Sequence, residues 1–129
     1  MKRFHSPETL PTAFGYTHVV EASGSRTVHV SGQLPLLPDR TLVGEGDFGA
    51  QVRQAFSNLG VALETAGATW TDVVKLGIFV TSLDGLAELR AIRDAFVDTE
   101  HPPASTLVQV AGLAQPGAMV EIEAVAILD

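Results

Sequence analysis

The sequence predicts an α+β fold, with two helices lying on one face of a sheet of about five strands, and three observations carry the prediction. The segments follow the order β-β-α-β-α-β-β. Two helices can cover only one face of such a sheet. Both strand faces are nevertheless apolar: over residues 72–82, Val73 and Phe79 alternate with Val74, Leu76, Ile78 and Val80. Over 118–128, Met119, Val125 and Ile127 alternate with Val120, Ile122 and Leu128. A sheet apolar on both sides needs a second cover, so sheets of several copies are expected to pack on one another. The alternative is a monomer with an apolar groove.

Along the chain, residues 1–15 are rich in Pro, Thr and Gly and are expected to be irregular. "THVVEA" (17–22) and "RTVHVSGQ" (26–33) read as strands of a hairpin closed by "SGS". "LPLLPDRTLVGEGD" (34–47) reads as a loop with at most a short strand. Asp47 can cap a first helix whose Phe48, Val52, Ala55, Phe56, Leu59, Leu63 and Ala66 recur at helical spacing, with Gly67 suited to its C-terminal cap. "DVVKLGIFVTS" (72–82) is a third strand, and Asp84 is the expected cap of a second helix with a buried stripe of Leu86, Leu89, Ile92 and Phe96. "STLVQV" (105–110) and "AMVEIEAVAIL" (118–128) close the chain as strands.

Composition narrows the function classes. The 129 residues fit a single domain, 1–129, with 46% hydrophobic and only 18% charged residues. A net charge of −7 and the lack of any basic run argue against nucleic acid as a partner. Cysteine is absent, which removes disulfides, thiolate nucleophiles and cysteine-ligated zinc. The four histidines (5, 18, 29, 101) show no metal-ligand spacing, so a metal site is not expected. "MKRFHSPETLP" does not read as a signal peptide, and no apolar run approaches the ~20 residues that span a bilayer. The expectation is a cytoplasmic protein with no membrane partner.

Two local choices stand out. Glu121 and Glu123 sit two apart on one strand face, among Met119, Val125 and Ile127. Carboxylates on an apolar face are costly unless solvated, paired or used. They are either a charged pair on a partly wet face, or pocket carboxylates that hold a water or transfer a proton. "VSGQLPL" (30–36) places Gly32 at a strand end, as a simple bulge or as a point where backbone approaches a ligand. Trp70 reads as a cover over the first helix's end, and Tyr16 as an edge residue packing on the sheet.

"GYTHVVEA", "VSGQLPL", "AQVRQAFSNLGVALETAGA", "DVVKLGIFVTSLDGLAEL", "PASTLVQVAGL" and "VEIEAVAI" together resemble the Rid family, the RidA-like enamine/imine deaminases with the older label endoribonuclease L-PSP. The resemblance spans residues 14–128. It implies a chorismate-mutase-like fold with a mixed sheet, assembled as a homotrimer whose sheets form a central barrel with helices outside. Small-molecule pockets then lie between subunits, and no cofactor or metal is used. The implied chemistry is hydrolysis of a small 2-imino or 2-aminoacrylate-type acid to its 2-keto acid. Carried over residue by residue, the water-positioning glutamate falls on Glu121, the pocket tyrosine on Tyr16 and the pocket glycine on Gly32.

One position departs from the pattern. Where the family has "P-A-R-S", with an Arg that clamps the substrate carboxylate, this chain reads Pro103-Ala104-Ser105-Thr106. A serine hydroxyl offers one donor and no charge. Loss of a buried charge-assisted clamp costs on the order of 2–5 kcal/mol. Ser105, with Thr106, is then the expected substrate-binding pair for an atypical substrate, and the alternative is a trimer that binds a metabolite without turnover. Ribonuclease activity has no support in the charge or in any paired histidines. Among cations that could replace the Arg, Arg53, Arg90 and Arg93 lie on helices, while Lys75 interrupts an apolar strand and draws the most interest. Its simpler role is an ion pair with Glu121 or Glu123 at a subunit interface.

Overall fold

The computed structural model describes all 129 residues, Met1–Asp129. Six strands and two helices follow in the order β1 (Lys2–His5), β2 (Val19–Ala22), β3 (Arg26–Gln33), α1 (Phe48–Thr65), β4 (Val73–Val80), α2 (Leu86–Asp94), β5 (Ala104–Gln109) and β6 (Val120–Leu128). The main sheet has the strand order β3-β6-β4-β5. It is mixed: β6 runs antiparallel to β3 and β4, while β4 and β5 are parallel and joined through α2. The expected α+β fold, with both helices on one side of a mixed sheet, is therefore found.

Helix α1 begins where Asp47 Oδ1 accepts the Ala50 N–H at 3.1 Å. It ends in a Schellman turn: Gly67, at φ +75°, donates its N–H to Glu64 O, and the Ala68 N–H reaches Leu63 O, both at 2.9 Å. Val52, Ala55, Phe56, Leu59 and Leu63 of α1 are buried against Leu76, Ile78 and Val80 of β4 and Val120, Ile122 and Ala124 of β6. Phe56 stacks on Phe96 at 5.3 Å, and Trp70, in a one-turn 3₁₀ helix (Trp70–Asp72), tilts against both rings.

Four sequence expectations need correction. Residues 2–5 are not irregular but form β1, too short and too polar to announce itself by periodicity. Residues 17–22 and 26–33 do not make a hairpin: β2 pairs with β1, and β3 pairs with β6. The long alternating β6 offers β3 a better partner, and the chain crosses between sheets at Gly24, where a Cβ would lie 2.2 Å from Leu128 O. Asp84 does not cap α2; Gly85 occupies that position without a side-chain hydrogen bond. Finally, a bulge at Val74 shifts the phase of β4, so Val73 is buried beside Leu76 while Lys75 and Phe79 face the other way.

The sheet's second face carries no helix. There Val125 and Ile127 of β6, Phe79 of β4 and Val108 of β5 lie part-exposed among His29, Lys75, Glu121 and Glu123.

Candidate functional site

The strand alternation sorts the site residues into two groups on opposite faces of the sheet. On the uncovered face, a one-residue bulge between Val30 and Gln33 brings Gly32 against Glu121. A Cβ on Gly32 would fall 2.2 Å from Glu121 Oε2 and 2.8 Å from its carboxyl carbon. Gly32 is therefore part of a bulge, and the group that approaches it closely is the carboxylate of Glu121. Glu121 forms no ion pair within the chain and is part-exposed. Glu123 differs, because its stem lies across Gly77, where a Cβ would meet Cγ at 2.8 Å. Lys75 pairs with neither glutamate; its Nζ donates to Thr106 Oγ1 at 2.8 Å.

On the helix-covered side, a cleft of about 360 Å³ opens between β5, α2 and the segment before β2. Ser105 and Leu107 line it from the strand, Phe14 and Tyr16 from the N-terminal segment, and Arg90 and Arg93 from the helix. Tyr16 is held there by its neighbour Thr17, whose N–H donates to Pro103 O at 3.1 Å and whose hydroxyl donates to Pro102 O. The prolines that precede Ser105 thus anchor the segment carrying Tyr16. The Tyr16 ring is edge-on to His18 at 5.3 Å, and His18 Nε2 contacts Pro11 O at 2.6 Å.

Tyr16 and Ser105 therefore share a cleft, and Gly32 and Glu121 share the opposite face. Thr106, next to Ser105 on a strand, points away from the cleft toward Lys75. Within one chain the two groups do not meet. Glu121 pairs with Phe79, which pairs with Val108 on β5, so two strand spacings of about 4.8 Å separate it from β5 even before the change of face.

Arg93, named in the sequence only as one of several helix cations and ranked below Lys75, lines this cleft. Its side chain is 9% exposed, and its Nε donates to Asp94 Oδ1 at 3.0 Å. The guanidinium packs against Gly15 through Nη2; Gly15 has φ +76° and its missing Cβ would stand 2.0 Å from that nitrogen. The signal was available: Arg93 follows Leu89 by four residues, so it lies in line with the buried stripe of α2.

No group of three or more His, Asp or Glu residues comes together. No helix is long and apolar enough to cross a membrane.

Residues 7–128 match the family described as Endoribonuclease L-PSP. A Rid-family protein of unknown function, YyfB from Yersinia pestis, is 39% identical with a TM-score of 0.90, and the match covers 98% of both chains. RidA from an Antarctic Psychrobacter is 34% identical with a TM-score of 0.72, over 98% of this chain and 99% of that one. The 2-iminobutanoate/2-iminopropanoate deaminase of Salmonella typhimurium is 37% identical, over 98% of each protein.

Proposed function

This chain belongs to the endoribonuclease L-PSP (Rid) family, and on that premise we propose that it is a hydrolytic deaminase of small enamine or imine acids, working in pockets between the subunits of a homotrimer. In the reaction, water adds to the imine carbon, the C–N bond breaks, and the nitrogen leaves as ammonia while the water oxygen becomes the ketone of a 2-keto acid. Glu121 positions that water, takes its proton as the oxygen bonds to carbon, and returns the proton to the nitrogen so that it leaves as ammonia. Gly32 leaves room for it, because any side chain there would occupy the space of the carboxylate. Tyr16 and Ser105 line the half of the pocket that receives the rest of the substrate, while Thr106, bonded to Lys75 on the other face, takes no part in that half.

The observation that carries this reading is a carboxylate with no ion-pair partner in its own chain, set against a glycine, in a protein 37% identical to an imine deaminase along nearly its whole length. A water held by an unpaired carboxylate is the arrangement general-base hydrolysis requires. The two half-sites lie on opposite faces of one sheet, which supports a pocket completed by a neighbouring copy.

The test is to supply freshly generated 2-iminobutanoate and follow 2-oxobutanoate release. The expected result is acceleration over buffer that falls roughly 100-fold in Glu121→Gln. A wild-type rate equal to buffer would overturn the proposal.

A second reading, a trimer that binds a metabolite without turnover, draws its support from Ser105 standing where the family pattern has the clamping Arg. It predicts that 2-oxobutanoate binds while 2-iminobutanoate decays at the buffer rate. Ribonuclease activity is disfavoured by the net charge of −7.

A further inference from the structure

We propose that Arg93, projecting from α2, is the carboxylate-binding residue of this chain, doing from the helix what Ser105 cannot do from the strand. The inference rests on the imine-acid reading for its ligand class, and on three observations of its own.

The first is placement. Arg93 and Ser105 line the same cleft, from opposite walls. An arginine at 105 would confront a second guanidinium there, whereas serine leaves the space to Arg93. The second is the state of its donors. Only Nε is engaged, with Asp94 Oδ1 at 3.0 Å; Nη1 and Nη2 have no hydrogen-bond partner in the chain. The side chain is 9% exposed, yet no unsatisfied polar atom is sealed from solvent, so each terminal nitrogen keeps some solvent contact, in a residue that lines the cleft. A buried guanidinium with a free terminal pair is a ready fork for a carboxylate. Asp94 holds Nε and Gly15 packs against Nη2, so the group's position is restricted before a ligand arrives.

The third observation is charge. The chain has 15 acidic and eight basic residues, yet no acid lines this cleft while two arginines do. Arg90, exposed at the rim, adds to the positive potential. Lys75 does not serve here, because it lies on the other face and is bonded to Thr106. The substrate class that follows is a small acid whose carboxylate docks on Arg93, with its apolar end against Phe14 and Leu107 and its reactive carbon toward a neighbouring copy.

Binding of unreactive 2-oxobutanoate, measured by calorimetry against the neutral 2-oxobutanamide, tests this without any turnover. Wild-type protein is expected to prefer the carboxylate at least tenfold. Arg93→Gln should abolish the preference and Arg93→Lys should retain part of it. The exchange Arg93→Gln with Ser105→Arg should restore it by returning the clamp to the strand. Equal affinity for acid and amide in the wild type, which requires no variant to fold, overturns the proposal. So does a preference that survives in Arg93→Gln. Imine hydrolysis that is insensitive to Arg93 defeats this inference alone, whereas carboxylate preference without hydrolysis defeats the deaminase reading alone.

Discussion

At the scale of single residues, the glycines say most about what the sheet faces are for. Gly32 lies where a Cβ would meet Glu121 Oε2 at 2.2 Å, its carboxyl carbon at 2.8 Å and Cγ at 3.0 Å. Every one of those atoms belongs to a flexible side chain, and Gly32 does not occupy the left-handed region. Gly32→Ala is therefore expected to fold with stability within about 1 kcal/mol of the parent, because Glu121 can swing aside. Activity is another matter. Displacing a reacting group by about 1 Å can cost on the order of 100-fold in rate, so imine hydrolysis should fall by that order while the thermal midpoint barely moves. A large loss of stability with activity preserved would show that the glycine serves only the bulge. Gly15 behaves differently, because its φ of +76° and the guanidinium of Arg93 both exclude a side chain.

At the scale of elements, one buried side chain ties the start of α1 to the loop before β6. Gln51 is fully buried; its Nε2 donates to Gly44 O at 3.0 Å and Gly117 O at 3.1 Å, and its Oε1 accepts the Met119 N–H at 2.7 Å. Gln51→Leu keeps the volume but removes all three bonds; the Gly44 carbonyl keeps the Asp47 N–H at 2.8 Å and the Gly117 carbonyl, in an exposed residue, can find water, so the Met119 N–H is the group left unpaired. We expect a loss of about 1–3 kcal/mol, read as a lower denaturant midpoint. An unchanged midpoint would mean that water reaches the Met119 N–H as well. Elements of this kind were largely legible in the sequence. The periodicity of α1, the Asp47 cap and the Gly67 turn all rest on local chemistry, and each is found within a residue or so of its expected place. What was not legible depends on distant partners. β1 exists because β2 is there to pair with it, and β2 is released to do so because β6 takes β3. The bulge at Val74 inverted the assignment of Val73, since a single extra residue reverses which side chains face the core.

The site shows the same division at the scale of the whole molecule. Glu121, Gly32, Tyr16 and Ser105 are candidates that short motifs and the family resemblance single out, whereas the place of Arg93 beside Ser105 follows only from α2 folding back over β5. Lys75 drew attention because it interrupts an apolar strand, yet interruption of a strand on its uncovered side is an ordinary place for a lysine. That uncovered side carries the largest consequence. Val125 sits on the long strand β6, opposite His29 of β3 and Lys75 of β4, with Ile127 and Phe79 on the same face and no helix above them. Apolar surface of this kind is expected to be buried between copies. Val125→Glu separates folding from assembly: in an isolated subunit the new carboxylate is solvated and lies opposite Lys75, so the chain should fold with near-native circular dichroism. In an assembled barrel it would be buried close to its symmetry mates, where like charges repel and desolvation adds to the cost. Sedimentation should then show the wild type at three times the 13.6 kDa chain mass and the variant at the chain mass itself. Imine hydrolysis should disappear with the trimer, because Glu121 would lose the neighbour whose cleft holds Arg93 and Ser105. A folded monomer of Val125→Glu that hydrolyses imine acids at the wild-type rate would place the whole site within one chain and remove the need for a second copy.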